Sequence, residues 1–142
     1  MSKESAVRRL FIVFIASLGF VAGCGGPVRV QKGEVGPLND FGTVYRQATD
    51  KLGRPPKSVE ELAANAPAGK DVNSLLKSPN DNQPYVVVWG ADPRSGMQLK
   101  PLVIAYEKEG LGGVRFVYTA MGVMLMGPDE FKEANFPQGH KP

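Results

Sequence analysis

Val114-Arg-Phe-Val-Tyr-Thr119, Ala120-Met121 and Gly122-Val-Met-Leu-Met126 form the stretch on which the fold turns. Val114, Phe116 and Tyr118 alternate with Arg115, Val117 and Thr119, the period-two pattern of a strand whose two faces differ. Gly122 marks a tight turn, and Val123–Met126 reads as a short fourth strand. So short a connection requires the two strands to run antiparallel. Upstream, Gly110, Gly112 and Gly113 supply another turn, and Leu102–Tyr106 is a second strand. Beyond the polar loop Gly90–Lys100 lies Tyr85-Val-Val-Val-Trp89, β-branched and aromatic, entered from Pro84. The result is a meander.

Further toward the N-terminus the period changes. Leu38, Phe41, Val44, Tyr45, Ala48 and Leu52 recur at three- and four-residue steps, so a helix starts near Leu38, with Asn39 or Asp40 to cap it. Gly53 ends it and Arg54-Pro55-Pro56 forbids continuation. Ser58-Val-Glu-Glu61 is a capping-box pattern that opens a short helix from Val59 to about Asn65. Asp71–Lys77 reads as one more helical turn, with Leu75 and Leu76 inward. Downstream of the meander, Pro128 suits the first turn of a terminal helix. The expected fold is α+β: an N-terminal helix packed on a three- to four-stranded antiparallel meander, the opposite face partly wet. One domain fits a chain of 142 residues. It spans 38–135, and 136–142 is a tail. Seventeen glycines and twelve prolines agree with many turns.

The start of the chain follows a different logic. Lys3, Arg8 and Arg9 precede Leu10–Phe20, an uncharged apolar run (LFIVFIASLGF) too short to span a bilayer. Small residues follow, which together give the pattern of a secretory signal peptide. Val21-Ala22-Gly23-Cys24 resembles the lipobox of bacterial lipoproteins. The resemblance implies cleavage between Gly23 and Cys24, and diacylglyceryl and N-acyl lipid on the Cys24 sulfur and amine. Residues 1–23 are then the signal peptide and 24–37 a flexible tether, rich in Gly and Pro with mixed charge. The implied location is the cell envelope, lipid-anchored to the outer or cytoplasmic membrane and facing the periplasm or exterior. Gly25 is not the aspartate that favours inner-membrane retention. Cys24 is the only cysteine, so no disulfide forms within the domain.

The net charge of +3 reflects mostly the leader. Of seventeen basic and fourteen acidic groups, Lys3, Arg8, Arg9 and Glu4 lie in residues 1–23, leaving fourteen against thirteen. A nearly neutral domain offers no clustered cations for nucleic acid.

A second resemblance lies in the domain. Leu75-Leu-Lys-Ser-Pro79-Asn-Asp-Asn82-Gln-Pro84-Tyr85 resembles the segment before the sheet in major pseudopilins of type II secretion systems, and Gly53–Leu62 resembles the stretch after their long helix. Phe116–Val123 is similar to the hairpin that ends many pilin-like proteins, with Met121 where aspartate is usual. The resemblance covers roughly residues 38–127 and implies a pilin-like head. It does not extend to the filament-forming helix, because here the apolar run precedes the cleavage site.

Candidates for chemistry are sparse. His140 is the only histidine and falls in the tail, so no cysteine–histidine pair or ordinary zinc set exists. Gly110-Leu-Gly-Gly113 lacks the Lys-Ser/Thr of a phosphate loop. Glu107 and Glu109 read as a solvated hairpin end. The Met121, Met124, Met126 group and Trp89, Tyr85 and Tyr106 read as packing. Asn80, Asp81, Asn82 and Asp92 are the oxygen donors a calcium ion would use, and Asx turns account for them equally well. Asp129 and Glu133 sit at helical spacing. The sequence therefore points to a non-enzymatic exported lipoprotein, contacting envelope or secretion-system proteins, without a further cofactor. The alternative is a lipid-tethered small-ligand or calcium-binding module.

Overall fold

A computed structural model describes residues 35–95 and 99–142. The proposed signal peptide, the lipobox and the tether up to residue 34 lie outside the described residues.

The chain is α+β. Helix α1 (Gly36–Leu52) is followed by α2 (Val59–Asn65) and α3 (Val72–Leu75), then β1 (Val86–Val87), β2 (Val103–Tyr106), β3 (Arg115–Thr119) and β4 (Gly122–Met126), and last α4 (Pro128–Lys132). The four strands form one antiparallel sheet in the order β1-β2-β3-β4. Helix α1 begins earlier than its apolar stripe suggests. Val35 occupies the cap position without a side-chain bond, and Pro37 sits in the first turn, where its missing N–H is harmless. Asn39 and Asp40 are therefore not caps. Gly53 closes the helix at φ +69°, a conformation open to glycine. Ser58 Oγ accepts the Glu61 N–H at 3.3 Å and starts α2. The Glu61 carboxylate does not complete the box; it takes the Lys57 N–H and the Arg54 guanidinium instead.

The stripe Leu38, Phe41, Val44, Tyr45 and Ala48 is buried. On the sheet side, Phe41 meets Tyr118 edge-on at 6.0 Å, and Tyr118 Oη donates to the Gly42 carbonyl at 3.1 Å. Arg46 Nε donates to Tyr118 Oη at 2.8 Å, and its Nη2 bonds the Ala120 carbonyl at the β3–β4 turn. A Cβ on Gly42 would stand 2.3 Å from the Tyr118 ring. The helix approaches β3 this closely only because residue 42 has no side chain.

The other sheet face is drier than expected. Tyr106 packs edge-on against Phe131 at 4.9 Å and Phe136 at 5.9 Å, and the Arg115 guanidinium lies 4.5 Å over the Phe131 ring. His140 stacks on Phe136 and shares a 3.1 Å hydrogen bond with Tyr106 Oη. The C-terminal segment is thus a strap rather than a loose tail. Its aromatics at 131 and 136 bury apolar area on the sheet, and the Asn135 carbonyl takes the Val103 N–H. The sheet sits between α1 and this strap. β1 is shorter than Tyr85–Trp89: the Val88 N–H still reaches the Ile104 carbonyl at 2.8 Å, but the chain turns away after it, and Trp89 packs on Tyr45 at 6.4 Å.

Candidate functional site

Two regions stand out: a buried polar knot beneath the Lys77–Pro84 loop, and an apolar strand edge.

The loop is closed by a bridge between Lys77 and Pro84, and Asn82 adopts φ +56° at its tip. Beneath it lies Glu107, which continues β2 by donating its N–H to the Phe116 carbonyl. Its side chain is only 1% exposed. The expectation of a solvated hairpin end therefore holds for Glu109, which is exposed, but fails for Glu107. Glu107 Oε1 accepts from Ser78 Oγ at 2.7 Å and from Asn80 Nδ2, and Oε2 accepts the Phe116 N–H at 2.9 Å. Ser78 is equally buried and its Oγ also accepts the Asn80 N–H. A buried carboxylate with three donors satisfies the rule that buried charge must be hydrogen-bonded.

Asp81 fastens the outside of the same loop. Its Oδ2 accepts the N–H groups of Glu109 and Gly110 at 3.0 Å each, and its Oδ1 takes that of Gln83. Partial burial pushes its pKa upward, but these three backbone donors outweigh it and hold the carboxyl below its usual range. Gly110 donates its N–H at φ +68°, and a Cβ there would stand 2.2 Å from the Val114 carbonyl oxygen. The Tyr85 hydroxyl is buried beside Ser78 and Glu107 without a hydrogen-bond partner of good geometry among the described residues. Burial, followed by the nearby Glu107 charge and opposed by Ser78, pushes its pKa up to about 12.

The structure brings Asn80 and Asp81 together but separates Asp92 from them. Asp92 accepts from the Arg94 guanidinium at 3.0 Å and from the Arg94 N–H at 2.9 Å. The Arg94 side chain, first among several causes, lowers its pKa. The carboxylate oxygens proposed for calcium, those of Asp81 and Asp92, are thus directed at N–H donors within the fold, and the Asn80 side chain donates to Glu107. Among the described residues no group of three or more His, Cys, Asp or Glu side chains converges as a metal site. Asp129 and Glu133 pair with different lysines, Lys132 at 3.5 Å and Lys100 at 3.3 Å. Gly23 and Cys24, the proposed cleavage and lipidation residues, lie outside the described residues.

The second region is β4. Of the methionine group only Met126 is buried. Met121 is 62%, Met124 42% and Leu125 44% exposed. The packing expectation fails here because β4 is the edge of the sheet. Beside it a shallow cleft of about 230 Å³ is floored by Met124, Leu125, Met126 and Pro101 and rimmed by Lys100 and Glu133. Nothing in the residue pattern marks β4 as an edge, because Ala120–Gly127 carries neither the charge nor the proline by which edge strands are usually blunted.

No protein-family model matches this chain, and no curated protein or solved structure is significantly similar to it.

Proposed function

We propose that this protein is an exported lipoprotein, held on a membrane through lipid on Cys24, whose domain serves a non-catalytic contact role in the cell envelope. The observation that carries the proposal is the leader itself. A positive start, the apolar run Leu10–Phe20 and the sequence Val21-Ala22-Gly23-Cys24 occur in the order that export and lipidation require. Two or more acyl chains give stable attachment where one is marginal, each buried CH₂ contributing about 0.8 kcal/mol. The domain has the character of a pilin-like head, α1 lying against an antiparallel sheet, and its partners are envelope or secretion-system proteins.

The disposition of the polar groups supports a contact role. Glu107, Asp81 and Asp92 are engaged by donors that shape loops. His140 is engaged by Tyr106. Exposed apolar side chains gather instead at β4. Partition into detergent tests the anchor. The wild-type chain expressed in a bacterium should enter the detergent phase, and Cys24→Ser should leave its processed form in the aqueous phase. Equal partition of the two would refute lipid anchoring. Crosslinking on intact cells tests the contact role, and recovery of free monomer alone would count against it.

A further inference from the structure

The sheet has two edges, and they are protected unequally. β1 is two residues long and is enclosed by flanking bonds, Tyr85 N–H to the Leu76 carbonyl and Gly90 N–H to the Pro56 carbonyl. β4 is five residues long, with no proline, lysine or glutamate and no bulge against β3. Natural sheets usually blunt an edge with one of those devices.

The ladder fixes which groups β4 presents. The Phe116 carbonyl and the Ala120 N–H point toward β2, to Glu107 and Leu102. By alternation Arg115, Val117 and Thr119 face β4, where they pair with Met126, Met124 and Gly122. The N–H and C=O of Val123 and Leu125 therefore point away from the sheet, and no described residue bonds them. Side chains at this edge occupy both faces. Leu125 shares the α1 face with Tyr118, and Met124 shares the strap face with Met126.

We infer that the β4 edge pairs with the same edge of a second copy, antiparallel, about a two-fold axis through Met124. In this register Val123 of each chain lies opposite Leu125 of the other, and all the outward N–H and C=O groups of both pairs are used. Centring the axis on Val123 would leave Leu125 opposite Met121, whose N–H is already given to Thr119 Oγ1. Centring it on Leu125 would place Val123 opposite Gly127, whose N–H is given to Glu130. The Met124 register alone matches free groups with free groups. Its side chains also agree: Met124 meets Met124 on the strap face, Leu125 meets Val123 on the α1 face, and Gly122 gives Met126 room. Ala120–Gly127 carries no charge, so the two copies meet without like-charge repulsion. The interface is isologous and closed. Only a short strand of each copy takes part, against about 20–30 residues a side in a standard stable complex, so dimers form at high local concentration.

Disulfide trapping tests the register. Cys24 is the only native cysteine, so the full chain with Cys24→Ser provides a background for single thiols. At the axis, residues 124 would be a non-hydrogen-bonded pair with Cα atoms about 4.5 Å apart, within disulfide reach. Met124→Cys should form dimers under mild oxidation about tenfold faster than Met121→Cys, a more exposed thiol off the axis. Adding Leu125→Pro removes two inter-chain donors but no bond to β3, and should abolish the excess. If circular dichroism shows that this variant is misfolded, Leu125→Lys replaces it. Equal rates for the two thiols would overturn the proposal. So would slow amide exchange at Val123 and Leu125 in dilute monomer, which would mean that the edge is covered by another segment of the same chain.

Discussion

Gly42→Ala gives the sharpest quantitative test of how α1 meets the sheet. In an exposed helix interior, alanine in place of glycine stabilises by about 1 kcal/mol. Here the added Cβ would lie 2.3, 2.5 and 2.8 Å from three atoms of the Tyr118 ring. That ring is not free to move: it is 3% exposed, packs edge-on to Phe41, donates to the Gly42 carbonyl and accepts from Arg46. Overpacking of this kind costs about 1–3 kcal/mol. Loss of the Tyr118 hydrogen bonds costs about 1 kcal/mol more. The steric terms exceed the propensity gain, so net destabilisation of about 1–3 kcal/mol is expected. For a domain of about 100 residues this lowers Tm by roughly 4–8 °C per kcal/mol. Gly36→Ala is the control, because nothing lies within 4 Å of its added Cβ, and it should be neutral or stabilising. Urea and thermal unfolding of both variants measure the difference. A Gly42→Ala chain as stable as wild type, or more so, would refute the close approach of α1 to β3.

Other perturbations probe the knot and the strap. Glu107→Gln turns an acceptor into a donor facing Ser78, Asn80 or the Phe116 N–H, and should cost about 1–3 kcal/mol in urea unfolding; no loss would contradict burial of the carboxylate. Asp81 has a depressed pKa in the folded state, so its contribution is present above the unfolded value near 4 and is lost as pH falls through the folded value. Stability followed downward from pH 5 should fall more steeply in wild type than in Asp81→Asn, and parallel curves would contradict this. All four tyrosines have raised pKa values: burial is the leading cause at each, and Tyr85 is pushed up to about 12. Stability from these groups is present below pH ~10 and lost above it. Tyrosinate absorbance should therefore rise with alkaline unfolding, not as a separate step near pH 10. Phe136→Ala should loosen the strap and speed amide exchange at Val103, whose N–H bonds Asn135.

Local patterns were legible where a residue's neighbours in sequence decide its state. The α1 stripe, the Gly53 stop, the Ser58 cap and the alternation of β3 all rest on contacts within one turn or one strand. The start of α1 was not legible, since Pro37 and an uncapped Val35 lack the side-chain signal of Asn or Asp. Neither was the need for glycine at 42, which depends on a ring 76 residues away. Glu107 looked solvated because its donors, Ser78 and Asn80, come from a distant loop. His140 looked loose because its partner is Tyr106. Edge and centre strands share one apolar alphabet, so the exposure of Met124 and Leu125 emerged only with the strand order. Of the proposed site, Cys24 rests on sequence alone; the Asx-turn reading of Asp81 and Asp92 holds, each Oδ1 taking the N–H two residues on, whereas the Arg94 guanidinium on Asp92 and the Glu109 and Gly110 N–H groups on Asp81 were not legible.

The most direct test of the central proposal is mass spectrometry of the N-terminal peptide from membrane-extracted protein. The proposal predicts a chain that begins at Cys24 and carries a diacylglyceryl thioether. Cys24→Ser should lack that mass increment. An N-terminus that retains residues 1–23, or one that begins at Cys24 with a free thiol, would contradict it.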